Sequence, residues 1–290
     1  MLHFRVLCVS IFVRRDIVYY FYKKYLWLYY ILAIPGEFII IFTFAAAAKY
    51  NHQGLLLLAD CLISIFLVVY LAACVANVFA FKHFNKTLLH LYTELDPQKF
   101  LEEYEPDFEK FAASRFKKRI IPYAYYIEAL KESGQIKKAL AVYSSVADSP
   151  QFKKPSLSAI AANIYANLWS ALHGVGETDG ERLFKEKYLA ISETAKKQKR
   201  IKAVGADINC AFLRGEYGKV IELAEKQLAD PKNLNMSKLR LYCRIAEAYA
   251  ILGDADKAHE QLNAAKEISS TVFTYTSAKA LVEKILQSEN

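Results

Sequence analysis

Two long apolar segments near the N-terminus restrict what this chain can fold into more than any other feature. The first covers residues 26–48 and the second residues 55–81, and only residues 49–54 separate them. A helix rises about 1.5 Å per residue, so about 20 residues cross a hydrocarbon core about 30 Å thick. The sequence therefore predicts an antiparallel transmembrane hairpin over residues 26–81.

The placement of basic residues predicts how this hairpin is oriented. Most of the formal net charge of +8 lies in the N-terminal region, and the short turn between the spans carries only Lys49. The other basic residues up to position 86 precede the first span or follow the second, and so lie at the end of the hairpin opposite the turn: Arg5, Arg14, Arg15, Lys23, Lys24, Lys82 and Lys86. The positive-inside rule then places both termini in the cytoplasm, with residues 1–25 as a cytoplasmic N-terminal segment. The compact layout favours the plasma membrane of a prokaryote.

Two acidic residues, Glu37 and Asp60, interrupt the apolar segments. Ionisable residues inside a membrane suggest a proton or ion path by default, so a transport or ion-handling accessory protein is one hypothesis. The two carboxyls should differ in depth by roughly 9 Å, which argues against their pairing. The alternative is that Asp60 lies near the interface and Glu37 is protonated or faces a neighbouring chain. Small residues at 72, 76 and 80 permit close helix contact, within the hairpin or in a homo-oligomer.

After residue 81 the pattern changes to apolar residues at spacings of three and four, which predicts helices. Residues 82–119 are expected to form a helical linker, and residues 120–290 a helical domain. In that domain Gly134, Gly215 and Gly253 each follow one apolar-periodic segment and precede another. A glycine at the end of a helix commonly adopts the left-handed conformation that caps it. The recurring glycine therefore predicts repeated helical hairpins, with one further pair in the long gap between Gly134 and Gly215.

The residues around these turns resemble the tetratricopeptide family, whose repeat is a helix-turn-helix unit. Around Gly253 the matching positions are Tyr242, Ala246, Tyr249, Ala258 and Leu262, and around Gly134 they are Ala139 and Tyr143. The resemblance implies an α-solenoid in which small residues let paired helices approach, closed by a capping helix over residues 274–287. The predicted fold is all-α: a transmembrane hairpin followed by a tetratricopeptide-like solenoid.

No catalytic or metal-binding signature is present in the sequence. Motifs for zinc proteases, phosphate-binding loops, serine hydrolases and kinases are missing. The five cysteines are scattered and include no CxxC pair, so neither a disulfide framework nor a zinc site is indicated. We therefore expect neither an enzyme nor a cofactor.

The resemblance implies a groove that binds a protein or peptide segment, because the first helix of each repeat lines such a groove in the family. The corresponding residues here are Arg240, Cys243, Glu247, Lys202, Asn209, Asn163 and Asn167. A basic, amide-lined groove would suit an acidic segment or a C-terminal carboxylate. The alternative is that these are ordinary solvent-facing residues.

The resulting prediction is a membrane-anchored cytoplasmic scaffold that binds a partner protein through a helical-repeat groove. A second alternative comes from the basic run at residues 196–202, which could bind anionic lipid or nucleic acid. The acids Glu186 and Glu193 nearby favour a solvated helix end, so nucleic acid is not an expected partner.

Overall fold

The computed structural model describes residues 25–49, 54–197 and 203–288. Over these ranges the protein is all-helical, with twelve α-helices, two short 3-10 helices and no strand. The chain divides between Lys86 and Thr87 into two compact units. The prediction of an all-α fold is confirmed.

The helices follow one another with short connections. The first two are α1 (Leu26–Ala48) and α2 (Gly54–Tyr92). They are followed by α3 (Pro97–Ala112), α4 (Ile120–Glu132), α5 (Ile136–Ser144), α6 (Ser158–Val175), α7 (Thr178–Lys197) and α8 (Ala203–Leu213). The last four are α9 (Tyr217–Leu228), α10 (Asn235–Ile251), α11 (Ala255–Ile268) and α12 (Phe273–Ser288). The 3-10 helices, Pro150–Lys153 and Pro155–Leu157, lie between α5 and α6.

In the first unit, α1 and the apolar part of α2 pack side by side. A Cβ atom at Gly36 would lie 2.6 Å from Cγ1 of Val68, so the glycine is what permits this approach. The rings of Tyr25 and Phe79 lie 6.3 Å apart between centroids. The alanines at positions 72, 76 and 80 are buried.

Both helices are long and apolar enough to cross a membrane by length and composition, as the sequence predicts. Only 6% of the apolar window of α1 and 11% of that of α2 is buried. Glu37 on α1 is partly exposed and Asp60 on α2 is exposed. The orientation of the hairpin in a membrane stays a prediction.

In the second unit, four successive pairs of helices form hairpins: α4 with α5, α6 with α7, α8 with α9, and α10 with α11. A glycine with positive φ ends the first helix of each pair, at Gly134 (77°), Gly176 (71°), Gly215 (77°) and Gly253 (79°). L-residues with a side chain rarely adopt this conformation. The predicted turns at Gly134, Gly215 and Gly253 are confirmed, and Gly176 supplies the turn of the additional pair.

The residues expected to pack these hairpins together are mostly buried. Ala139, Ala246 and Ala258 are fully buried, and Tyr143 and Leu262 are nearly so. Tyr242 and Tyr249 are only half-buried. Small side chains therefore lie where paired helices meet, whereas these two tyrosines lie at the margin of the core.

Part of the segment 82–119, expected as a linker, contributes to the core of the second unit. Helix α3 buries Phe100, Tyr104 and Phe108. The hydroxyl of Tyr104 donates to the carbonyl of Pro122 at 3.1 Å, and the rings of Phe108 and Tyr126 stack with centroids 4.1 Å apart. The aromatic content of α3 explains the difference, because a helix with one apolar face requires a packing partner.

Helix α12, expected only as a terminal cap, packs on α10 and α11 and also contacts α4 and α6. In a simple open solenoid each repeat contacts only its neighbours. The second unit departs from that scheme because its last helix meets its earlier hairpins. Solenoid stacking consequently stays a prediction.

Candidate functional site

A cleft of about 320 Å³ lies in the second unit among α6, α8, α10 and α12. Six of the seven residues proposed from the sequence as groove residues line this single cleft: Asn163, Asn167, Asn209, Arg240, Cys243 and Glu247. The seventh, Lys202, lies outside the described residues. The helices thus bring together residues that are up to 84 positions apart in the chain.

Helical spacing explains why these residues share one surface. Asn163 and Asn167 are four residues apart on α6, and Arg240, Cys243 and Glu247 follow at intervals of three and four on α10. Side chains at such intervals lie on the same face of a helix. The Nδ2 atom of Asn167 donates to the carbonyl of Asn163 at 3.0 Å and to its Oδ1 atom at 2.8 Å, which fixes both amides relative to one another.

Behind the cleft lies a buried cluster of charged groups. Nη2 of Arg240 donates to Oε1 of Glu128 at 2.8 Å and to Oε1 of Glu132 at 2.6 Å. Nζ of Lys131, which lines the cleft, is 2.8 Å from the same Glu132 oxygen. The side chains of Glu128, Lys131 and Glu132 are 2%, 3% and 0% exposed. Buried charges are tolerated only when they are paired and hydrogen-bonded, and here two cations face two carboxylates.

Burial and mutual interaction shift the pKa values of three of these groups: Glu132, Lys131 and Arg240. Burial alone would raise the pKa of Glu132, but Lys131 and Arg240 outweigh it and lower that pKa to about 2. Burial lowers the pKa of Lys131, and Glu132 partly offsets this effect. For Arg240, burial opposes the charged form, yet Glu128 and Glu132 raise its pKa overall. The ionisation states of these three groups are therefore coupled.

Hydrogen bonds join this cluster to further elements. The backbone N–H of Thr274 on α12 donates to Oε2 of Glu132 at 3.2 Å, and its hydroxyl donates to Oε1 at 2.9 Å. Tyr92 donates its hydroxyl to Oε2 of Glu128 at 2.8 Å, and Nδ2 of Asn163 reaches the same oxygen at 3.3 Å. The two glutamates thus hold α4 to α6, α10 and α12, which are three of the four helices that form the cleft.

A third cation, Arg244, is fixed at another wall of the cleft. Its guanidinium lies 4.1 Å from the ring centroid of Phe212 and 4.9 Å from that of Trp169. Its Nη1 atom donates to Oε2 of Glu247 at 2.6 Å. Stacking on two rings and pairing with a carboxylate leave the guanidinium little freedom. The cleft therefore has a rigid wall at this point.

Cys243, proposed as a groove residue, is 3% exposed. Burial raises the pKa of its thiol, and Glu247 raises it further. A thiol in such surroundings is inert, because the thiolate is the reactive form. Cys243 therefore contributes packing at the floor of the cleft.

The cleft differs from the basic groove expected from the sequence, since its cations meet the protein's own carboxylates. Lys131 and Arg240 contact Glu132, and Arg244 contacts Glu247. Much of the remaining lining is neutral and can donate hydrogen bonds: Asn163, Asn167, Asn209, Gln227, Asn233, Ser170 and Ser237. The surface is therefore rich in donors and close to electrically balanced.

The residues that organise the cleft are not among those predicted from the sequence. Glu128 and Glu132 lie on α4, whose segment "IIPYAYYIEALKE" is otherwise largely apolar. Acidic residues on a helix that is apolar on all sides are expected to be buried, and they must then meet cations or hydrogen-bond donors. This pattern in the sequence could have indicated a buried charged cluster. Their partner Arg240 is more than 100 positions away, so no local pattern could identify it.

The other predicted positions lie elsewhere. Glu37 and Asp60 belong to the first unit. Lys196, at the start of the basic run, pairs with Asp207 at 2.7 Å, and residues 198–202 lie outside the described ranges. Among the described side chains there is no group of three or more His, Cys, Asp or Glu residues that could hold a metal ion.

No protein-family model matches this chain, and none of the curated proteins matches it either.

Proposed function

We propose that this protein is a membrane-anchored scaffold whose helical unit binds a short segment of a partner protein in the cleft. The observation that carries the proposal is the convergence of Asn163, Asn167, Asn209 and Arg240 on one concave surface. Concave sites lined by a few fixed polar groups are the usual binding sites of proteins. The tetratricopeptide-like character of the repeats, implied by resemblance, is part of the proposal.

The size and chemistry of the cleft define the segment. A volume of about 320 Å³ is at the lower end of ligand sites, which favours a chain terminus or a few residues over a long peptide. Amide and hydroxyl donors suit the carbonyl or carboxylate oxygens of such a segment. Nε of Arg240 is buried and has no hydrogen-bond partner among the described residues, so it could donate to an acceptor on the segment.

The apolar helices support a membrane anchor. The core helix of a soluble protein would be mostly buried, whereas the apolar windows of α1 and α2 are 6% and 11% buried. Their exposed side chains include Phe38, Phe42 and Phe66. We propose that both termini and the cleft are cytoplasmic, at the plasma membrane of a prokaryote, with lipid as the second partner.

Site-specific crosslinking in the native membrane tests this function. Ser237 is exposed and lines the cleft, whereas Glu260 is exposed on α11 and is not part of the cleft lining. A photoreactive residue at position 237 should capture a discrete protein adduct that the same residue at position 260 does not. The yield of this adduct should fall when Asn209 is replaced by Ala. Equal capture at both positions, or an adduct indifferent to Asn209→Ala, would contradict the proposal.

A further inference from the structure

A second surface of the helical unit, separate from the cleft, carries a concentration of exposed positive charge. It consists of Arg115, Lys117 and Lys118, in the connection between α3 and α4, together with Lys153 and Lys154 near the first 3-10 helix. All five side chains are exposed. We call these five residues the basic surface.

Hydrogen bonds hold the two parts of the basic surface together. The hydroxyl of Ser149 donates to the carbonyl of Lys118, and the backbone N–H of Ile120 donates to Oε1 of Gln151 at 3.0 Å. Both bonds join segments about 31 positions apart. The five cations are therefore presented by a connected piece of structure, not by two independent loops.

The charges of the basic surface are only partly offset. Asp148 pairs with Lys118. The hydrogen bond from Lys118 is the main cause that lowers the pKa of the Asp148 carboxyl, and the charge of Lys117 lowers it further. The cluster behind the cleft, in contrast, balances its cations with carboxylates at close range. Five cations near this carboxylate produce a local positive potential, which attracts anionic surfaces.

An aromatic ring lies within this positive region. The guanidinium carbons of Arg115 and Arg119 lie 4.8 Å and 4.6 Å from the ring centroid of Phe116. Aromatic and basic side chains together are typical of segments that lie at the interface between a bilayer and water. They also occur in proteins that bind single-stranded nucleic acid, which is the competing interpretation.

We infer that the basic surface binds the anionic headgroups of a lipid bilayer. Lipid is favoured over nucleic acid because the same chain carries two helices long and apolar enough to cross a membrane. Two such helices inserted in a bilayer would tether the chain to it. This tether raises the effective concentration of lipid headgroups around the basic surface far above that of a soluble polyanion. Each Lys or Arg near an anionic bilayer strengthens binding by a factor of about five. This inference rests on the membrane anchor of the proposed function and adds to it the residues that contact the lipid headgroups, which are separate from the cleft.

The test uses the full chain in nanodiscs that contain phosphatidylglycerol bearing a photoreactive headgroup. Crosslinked sites are mapped by mass spectrometry. We expect labelling of residues 115–118 and 153–154, and a loss of roughly tenfold or more in the variant Lys117→Gln/Lys118→Gln. Added salt should reduce the labelling, because the interaction is electrostatic.

The matched control is Lys226→Gln/Lys232→Gln, which removes two lysines that are exposed elsewhere on the same unit. This control should retain full labelling of the basic surface. Equal labelling in the Lys117→Gln/Lys118→Gln variant would overturn the inference. Labelling of the basic surface by a photoreactive single-stranded RNA but not by the lipid would also overturn it, in favour of nucleic acid as the ligand.

Discussion

Arg240 on α10 and Glu132 on α4 form a hydrogen-bonded ion pair at 2.6 Å across a separation of 108 positions in the sequence. The carboxylate of Glu132 also accepts from Lys131 and from Thr274 on α12. One buried carboxylate thus joins the first glycine-capped hairpin to the last two helices that line the cleft. If these contacts of Glu132 are lost, the helices around the cleft should be destabilised and the cleft should change shape.

Replacement of Arg240 by Met should strongly destabilise the helical unit. Glu128 and Glu132 would stay buried with less compensation, and such a loss typically costs about 3–5 kcal/mol. Arg182→Met is the matched control, because Arg182 is 74% exposed and pairs with Asp179, which is 88% exposed. Urea unfolding followed by circular dichroism should show a large decrease in the free energy of unfolding for Arg240→Met and no change for Arg182→Met. Equal effects would mean that the buried cluster has no special role.

The stability of the helical unit should fall with pH below about 4.5 because of Glu132. Its pKa is about 2 in the folded protein and about 4.5 in the unfolded chain, so between these values the unfolded chain binds more protons. The stabilisation is present above pH 4.5 and is lost as the pH falls toward 2, with a magnitude of about 3 kcal/mol. The free energy of unfolding should depend less on pH in Glu132→Gln. An unchanged pH dependence in that variant would show that other carboxyls are responsible.

The glycine turns permit a comparison of two identical substitutions three positions apart. Gly215 has a φ of 77°, whereas Gly218 lies within α9 with open space around its Cβ position. Gly215→Ala should destabilise by about 1–2 kcal/mol, because alanine is strained in the left-handed region. Gly218→Ala should be neutral or stabilise by up to about 1 kcal/mol, because alanine favours helix. Thermal unfolding of both variants measures the difference, and equal shifts would contradict the assigned turn.

In the first unit, Gly36→Ala should loosen the contact between α1 and α2. The added Cβ would lie 2.6 Å from Cγ1 of Val68, which is too close for two carbon atoms. A second substitution, Val68→Ala, removes that methyl group and should restore the packing. The midpoint of thermal unfolding of the full chain in detergent should fall for the single variant and recover in the double variant. Absence of recovery would refute the packing at Gly36.

Local chemistry explains which parts of the fold could be predicted from the sequence. The glycines at 134, 215 and 253 stood between apolar-periodic segments, and each has the positive φ that ends a helix. Asp254, directly after Gly253, caps α11, since its side chain accepts from the backbone N–H of Lys257 at 3.2 Å. Both features depend on a few neighbouring residues, which a single sequence displays.

Features that depend on distant contacts were not predictable in the same way. Asp207 interrupts the otherwise largely apolar segment of α8, and it pairs with Lys196 of α7. Arg240 was expected to face a ligand, but its Nη2 atom is held by two glutamates of α4. In both cases a charged residue finds its partner on another helix, and the pattern along the chain does not specify that partner.

The most direct test of the proposed function is binding at the cleft, with Trp169 as the reporter. Trp169 lines the cleft and is one of two tryptophans in the chain, so Trp27→Phe makes it the only one. The segment captured at position 237, prepared as a synthetic peptide, should change the Trp169 emission in a saturable manner. Asn209→Ala should raise the Kd about tenfold, the equivalent of one lost hydrogen bond. A peptide that binds without changing the Trp169 emission, and with the same Kd in Asn209→Ala, would contradict the assignment of the cleft.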